Sequence, residues 1–291
     1  MRCVLLYGSH LHGTSPNRYS AYDFIVLVDD YRAFYSALKN SGNLRGSVRL
    51  ISTMAHILPP NVIAYSPEED TGRVAKCNVV TRNHLERALG PRPKDHYLLS
   101  RLVQRMAVIW FASDEDREWV EAVMAGARAR VLMWMAPYLT EPVNADGLGR
   151  RILEVCYRGE FRPEATDRHK HTYEAQTDHF LEVLGPVLSN AEQQGIMIAE
   201  EGRYRLTAPS STWETLRWQL HFMRSKVRMG IRTLKHTVTF EEWLPYIVRK
   251  AERHSGQEIK LTWLERRFPL LFLWPRAITF FLSRPKKDLR Q

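Results

Sequence analysis

Residues 5–30 read LLYGSHLHGTSPNRYSAYDFIVLVDD, and this stretch decides how the chain begins to fold. An apolar run over 2–7 (RCVLLY) stops at Gly8, as a buried strand does at a turn. A second strand is expected over 22–28 (YDFIVLV), and Asp29-Asp30 then end it and cap a helix over 31–39. Glycine lets the backbone turn tightly and approach a ligand closely. The following Ser9 puts a hydroxyl beside backbone N–H groups that can cradle phosphate oxygens. A carboxylate on the next strand, Asp23, can bind Mg²⁺ that bridges those oxygens. Two-carboxylate sites place their acids two residues apart on such a strand; here Ala21 holds the first position and Asp23 stands alone. Asp29 shares a strand face with Asp23 but lies six residues on, roughly 20 Å at about 3.3 Å per residue, too far to share a metal. A purely structural turn between two strands remains the rival reading of the same residues.

The chain has 291 residues, 44% hydrophobic and 25% charged, with a formal net charge of +10. That is material for one large domain or two smaller ones, and the charge favours an anionic partner without choosing among nucleotide, nucleic acid and membrane surface. Three scattered cysteines (Cys3, Cys77, Cys156) give neither a disulfide framework nor a zinc site and point to a reducing, cytoplasmic setting. The opening residues enter a strand at once, so no signal or transit peptide is expected. No run of about 18 apolar residues is present to span a membrane.

Further along, Pro59-Pro60 precede an expected strand, RVAKCNVV (73–80) alternates as another, and Thr81 is expected to cap a helix over 82–89. From His96 the apolar spacing turns helical, over 96–111, 115–139, 147–158 and 174–199, with a hairpin turning near Gly202 and basic helix over 212–282.

Four blocks in order then resemble one family. YGSHLHG resembles the "GSG" phosphate turn of the mitochondrial-type phosphatidate cytidylyltransferases (peripheral CDP-diacylglycerol synthases of the translocator assembly and maintenance family) and their bacterial relatives, with His10 for the second glycine. YDFIVLVDDYRAFY resembles their acidic strand and helix, with Phe34-Tyr35 where the family has Trp-His. GRVAKCNVVTRNHLERAL (72–89) places Lys76 at the family's Lys. DHYLLSRLVQRMAVI (95–109) places Arg101 at its Arg, and CYRGEFRPE (156–164) keeps Arg162, with Glu160 for Asp. The resemblance covers about residues 4–185; the family's "HYS" segment after the acidic strand is not recognisable here.

The resemblance implies an α+β protein: a nucleotidyltransferase-like (polymerase-beta-type) α/β domain over 1–92, a helical domain over 93–210 completing the cleft, and a basic helical region over 211–291. It implies the reaction CTP + phosphatidate → CDP-diacylglycerol + pyrophosphate with Mg²⁺ held by Asp23. Gly8 and Ser9 would hold phosphate oxygens, Lys76 would neutralise phosphate charge, and Arg101 and Arg162 would grip the phosphatidate head or the leaving pyrophosphate. A phosphatidate nucleophile is already anionic and needs no strong base, so one carboxylate is chemically tolerable. The rival readings are a nucleotidyltransferase with another acceptor, or a non-catalytic, basic, nucleic-acid-binding protein with a degenerate fold. On the leading reading no nucleic acid is expected. A lipid substrate requires a peripheral membrane contact. RRFPLLFLWPRAITFFLSRPKK (266–287) is the candidate, its apolar part Phe268–Leu282 being 15 residues long, interrupted by Pro275 and Arg276, and reaching about 22 Å even as one helix, short of the roughly 30 Å hydrocarbon core. Structural alternatives stand beside each assignment: a solvated Lys76, an ion-paired Arg101, a loop-closing Arg162 and a packed C-terminal helix.

Overall fold

Alternation in β1 (Cys3–Tyr7) puts Cys3, Leu5 and Tyr7 on one face, all buried. In β2 (Tyr22–Val28) the same parity turns Ile25 and Leu27 to that face, and Val26 and Val28 to the other. Both faces are apolar, so this sheet must be covered on both sides. The computed structural model describes residues 1–13, 20–44, 46–65, 74–159 and 168–239, with 248, 252 and 259–267.

The first face packs on α4 (Arg82–Leu89), α5 (Leu99–Leu102), α6 (Asp114–Ala129), α7 (Val131–Met135), α8 (Ala145–Arg158), α9 (Arg168–Glu174) and α10 (Thr177–Gln193) in one large core. The second face packs on α2 (Tyr31–Asn40) and α3 (Val48–Ile57). The sheet order is β3-β4-β2-β1-β5, with β3 at Asn61–Tyr65, β4 at Ala75–Thr81 and β5 at Ala107–Phe111. β2 and β4 run parallel, and the other pairs are antiparallel. The mixed α+β class is as expected from the sequence. Met1–Thr239 forms one compact unit and Phe240–Gln291 a second.

Several expected elements are present: both strands of the opening motif, the helix after Asp30, β4, α4 and the hairpin β6 (Met197–Glu200)–β7 (Arg203–Leu206) turning at Glu201-Gly202. Asp30 caps α2, its Oδ1 accepting the Ala33 N–H at 2.8 Å. Other elements differ from expectation. The helical reading of 96–111 fails at its end, where Ala107–Phe111 adds the fifth strand beside β1. Alternation is weak there because the strand is only partly covered, with Trp110 42% exposed. Thr81 makes no side-chain cap to α4; its N–H instead donates to the Tyr31 hydroxyl at 3.3 Å. α10 stops at Gln193 and Met197 already belongs to β6, so the expected helix over 174–199 is too long. α3 was not foreseen; Ser47 caps it by accepting the Leu50 N–H.

α11 (Thr212–Thr239) is a single helix of 28 residues. Trp218, Phe222, Ser225 and Arg232 face inward, while Trp213, Leu216, Leu220, Met223, Val227, Ile231 and Leu234 are exposed. In the second unit, α12 (Trp263–Arg267) opens with Thr262 capped by Glu265, whose carboxylate accepts from both the Thr262 N–H and hydroxyl. The apolar tail Phe268–Leu282 lies outside the described residues, as does Arg162.

Candidate functional site

The register pairs Tyr7↔Asp23 and Asp23↔Lys76 lay the floor of the site. Adjacent strands lie about 4.8 Å apart and directly opposed residues share a face. Tyr7, Asp23 and Lys76 therefore form a row across β1, β2 and β4, on the face shared with Leu5, Ile25 and Val80. Gly8 follows the row at once with φ +82°, and a Cβ there would sit 2.9 Å from Asp23 Oδ2. Both the backbone angle and the carboxylate exclude a side chain, so the turn closes directly over Asp23. Ser9 opens α1 (Ser9–His12) beside it. His10 takes part in closing this turn: its ring stacks on Tyr22 at 3.8 Å and its Nε2–H donates to the Ser20 carbonyl at 2.9 Å.

A buried polar chain ties the floor to the helices above. Asn78 Nδ2 donates to the Tyr7 hydroxyl (2.9 Å) and to the Phe24 carbonyl (3.1 Å), and the Tyr97 hydroxyl donates to Asn78 Oδ1 at 2.7 Å. The Tyr97 ring carries two guanidinium groups, Arg101 at 3.7 Å and Arg232 at 4.3 Å from its centroid. Arg101 Nη1 also donates to the Tyr97 carbonyl at 2.5 Å. Arg232, fully buried, donates to Asp95 Oδ2 (2.9 Å) and to the Pro59 carbonyl (2.7 Å). The same Asp95 oxygen accepts Arg228 Nε at 2.7 Å, and Asp95 Oδ1 accepts the Tyr97 N–H at 3.1 Å.

Electrostatics link these groups into one neighbourhood. Burial, then the Asp23 charge, push the Tyr7 hydroxyl well above the usual phenol range, while Arg101 opposes the shift. Burial pushes His236 down to about 2, helped by the charges of Lys76, Lys235, Arg232 and Arg101. Lys235 is itself lowered to about 6 by burial and then by Arg232 and Arg228, and it donates to the Leu58 and Pro60 carbonyls. The balance is the Asp23 carboxylate with Lys76 paired opposite it on β4 and Arg101 acting on the neighbouring Tyr7, while Asp95 is engaged by Arg228 and Arg232. Such a set can hold an anionic chain of phosphates with one divalent ion.

Of the residues expected from sequence, Gly8, Asp23 and Lys76 adjoin, with Ser9 next to Gly8, and Arg101 is linked to them through Tyr7; Arg162 lies outside the described residues. The sequence reading missed Tyr7, Asn78, Asp95, Tyr97, Arg232, Lys235 and His236. One signal was present: Arg232 and Lys235 continue the inward spacing of Trp218, Phe222 and Ser225, where a solvated cation has no place. Comparison of the chain with protein-family models and with curated proteins finds no match to either.

Proposed function

We propose that the chain is a nucleotidyltransferase-fold phosphatidate cytidylyltransferase, acting peripherally on an anionic membrane. The observation that carries the reading is Gly8 closing on Asp23 with Lys76 at the paired position on the next strand. A nucleotide-transfer site needs this combination of a backbone turn open to phosphate, an acid for metal and a cation for charge.

In this reading the Gly8-Ser9 turn and Lys76 position the CTP triphosphate. A phosphatidate phosphate oxygen attacks the α-phosphorus, the bond between that phosphorus and the α–β bridging oxygen breaks, and pyrophosphate leaves with the electron pair. Arg101, held over Tyr97, meets phosphate charge. Arg232 is a positioning residue that fixes Tyr97 from Asp95. Mg²⁺ suits the residues present, because it binds through one or two carboxylates and completes its shell with water and substrate phosphates. Asp23 would hold it, and when bound it would neutralise charge on the triphosphate.

The exposed stripe of α11 supports a lipid surface as partner. Trp213, Leu216, Leu220, Met223, Val227, Ile231 and Leu234 recur at three- and four-residue steps, each at least 44% exposed. Arg217, Arg224 and Lys226 flank the stripe. Two copies packed stripe to stripe would oppose like charges, whereas an anionic bilayer satisfies both the apolar and basic faces. Among the described residues no helix is long and apolar enough to cross a membrane. The test is turnover: purified protein with CTP, Mg²⁺ and phosphatidate vesicles should release pyrophosphate and form CDP-diacylglycerol. Transfer of the nucleotide to a sugar or nucleic acid, but not to phosphatidate, would replace the acceptor in this reading.

A further inference from the structure

A cationic pocket lies at the other end of the parallel strands from Asp23. β2 and β4 carry Asp23 and Lys76 near their starts, and this pocket forms beyond their ends, roughly 15–20 Å along the strands. Its lining includes His56 of α3, His84 and Arg87 of α4, Lys94 and Asp95 of the following loop, and Arg228 of α11. The His56 and His84 rings meet edge to face at 5.8 Å.

The hydrogen bonds leave this pocket short of negative charge. Asp95 is its carboxylate, and that group is already engaged by Arg228 and by Arg232. Among the described residues no carboxylate pairs with Arg87 or Lys94. Beneath the pocket, Tyr31 accepts the Thr81 N–H at 3.3 Å and stands 2.9 Å from His84 Nδ1. With the Tyr31 hydroxyl as donor to Nδ1, the His84 ring keeps its proton on Nε2. Cations gathered in a concave site whose one acid is already paired are the pattern that receives a multiply charged oxyanion.

We propose that this pocket, separate from the Asp23 site, binds a phosphate group, through His84, Arg87, Lys94 and His56. The proposal does not depend on the enzymatic reading. Burial, then His56, Arg87 and Lys94, lower the His84 pKa, and a bound anion raises it again. Protonation of His84 therefore strengthens binding. The groups facing it are His56 and Tyr31 from the second-face helices, Arg87 from its own helix, Lys94 and Asp95 from the loop, and Arg228 from α11.

The test is titration of the full chain at low salt, followed through the ring ¹H–¹³C resonances of His56 and His84, assigned with His56→Gln and His84→Gln. Inorganic phosphate should move both resonances saturably. Sulfate, fully ionised throughout, should bind several-fold more tightly at pH 5.5 than at pH 8. Arg87→Gln with Lys94→Gln should weaken phosphate binding at least tenfold, about 1.4 kcal/mol, while Lys76→Gln leaves these resonances responsive. A short-chain, water-soluble phosphatidate run in parallel distinguishes a lipid headgroup from free phosphate by which saturates first. Unmoved histidine resonances with every anion, or equal affinity in the Arg87→Gln, Lys94→Gln protein, would overturn the site.

Discussion

At the scale of single residues, Gly8 and Asp23 define each other. The glycine takes a φ of +82° and passes so close that an added Cβ would stand 2.9 Å from the Asp23 carboxylate. Gly8→Ala should cost about 1–3 kcal/mol through backbone strain and displace the carboxylate. The expected outcome is a thermal midpoint lowered by a few degrees, with nucleotidyl transfer reduced at least tenfold. An Ala variant with wild-type turnover would show that the close approach has no part in the chemistry. These residues were legible because strand, turn and strand are local features in the sequence. Arg232 was not, because its partner Asp95 and the Tyr97 ring it covers are brought to it only by tertiary packing.

At the scale of elements, α11 carries two different faces. Inward, Arg232 and Arg228 converge on Asp95, and removing that acid leaves a fully buried guanidinium uncompensated. Asp95→Ala should destabilise the protein by about 3–5 kcal/mol, read by chemical denaturation; a loss under about 1 kcal/mol would mean that the arginines find other partners. Outward, Leu220→Asp with Val227→Asp should abolish co-sedimentation with anionic vesicles while leaving the folded signal unchanged, since both side chains are more than half exposed. Retained vesicle binding would assign membrane contact elsewhere. Element by element, β1 and β2 could be read as apolar runs ending at Gly8 and Asp29-Asp30, and β4 from its valine-rich alternation running up to α4. β5 was hidden because its side chains are mostly half-covered and so break alternation. α3 was hidden because it runs into the Pro59-Pro60 break.

At the scale of the molecule, buried neutral histidines make the fold acid-sensitive. Burial lowers His12, His179 and His221 to about 4 each, and His236 further. Each stays neutral when folded, whereas the unfolded chain takes up the proton near pH 6.5. The stabilisation is thus complete above about pH 6.5 and is lost as pH falls toward 4. Thermal midpoints measured from pH 7.5 to 4.5 should fall steeply below 6.5. His221→Phe, placed among Trp218 and Phe222, should flatten that slope; an unchanged slope would place the acid sensitivity in other groups. The α+β class was legible from the shift in period near residue 96. The joining of β5, α5 and α11 to one sheet was not, because it depends on contacts far apart in sequence.

The most direct test of the central claim is formation of labelled CDP-diacylglycerol from labelled CTP, phosphatidate vesicles and Mg²⁺, comparing wild type with Asp23→Asn and Lys76→Gln. Turnover by the wild type, its loss in Asp23→Asn and a strong reduction in Lys76→Gln are the predicted results. No product from folded wild-type protein, or full activity in Asp23→Asn, would contradict the account.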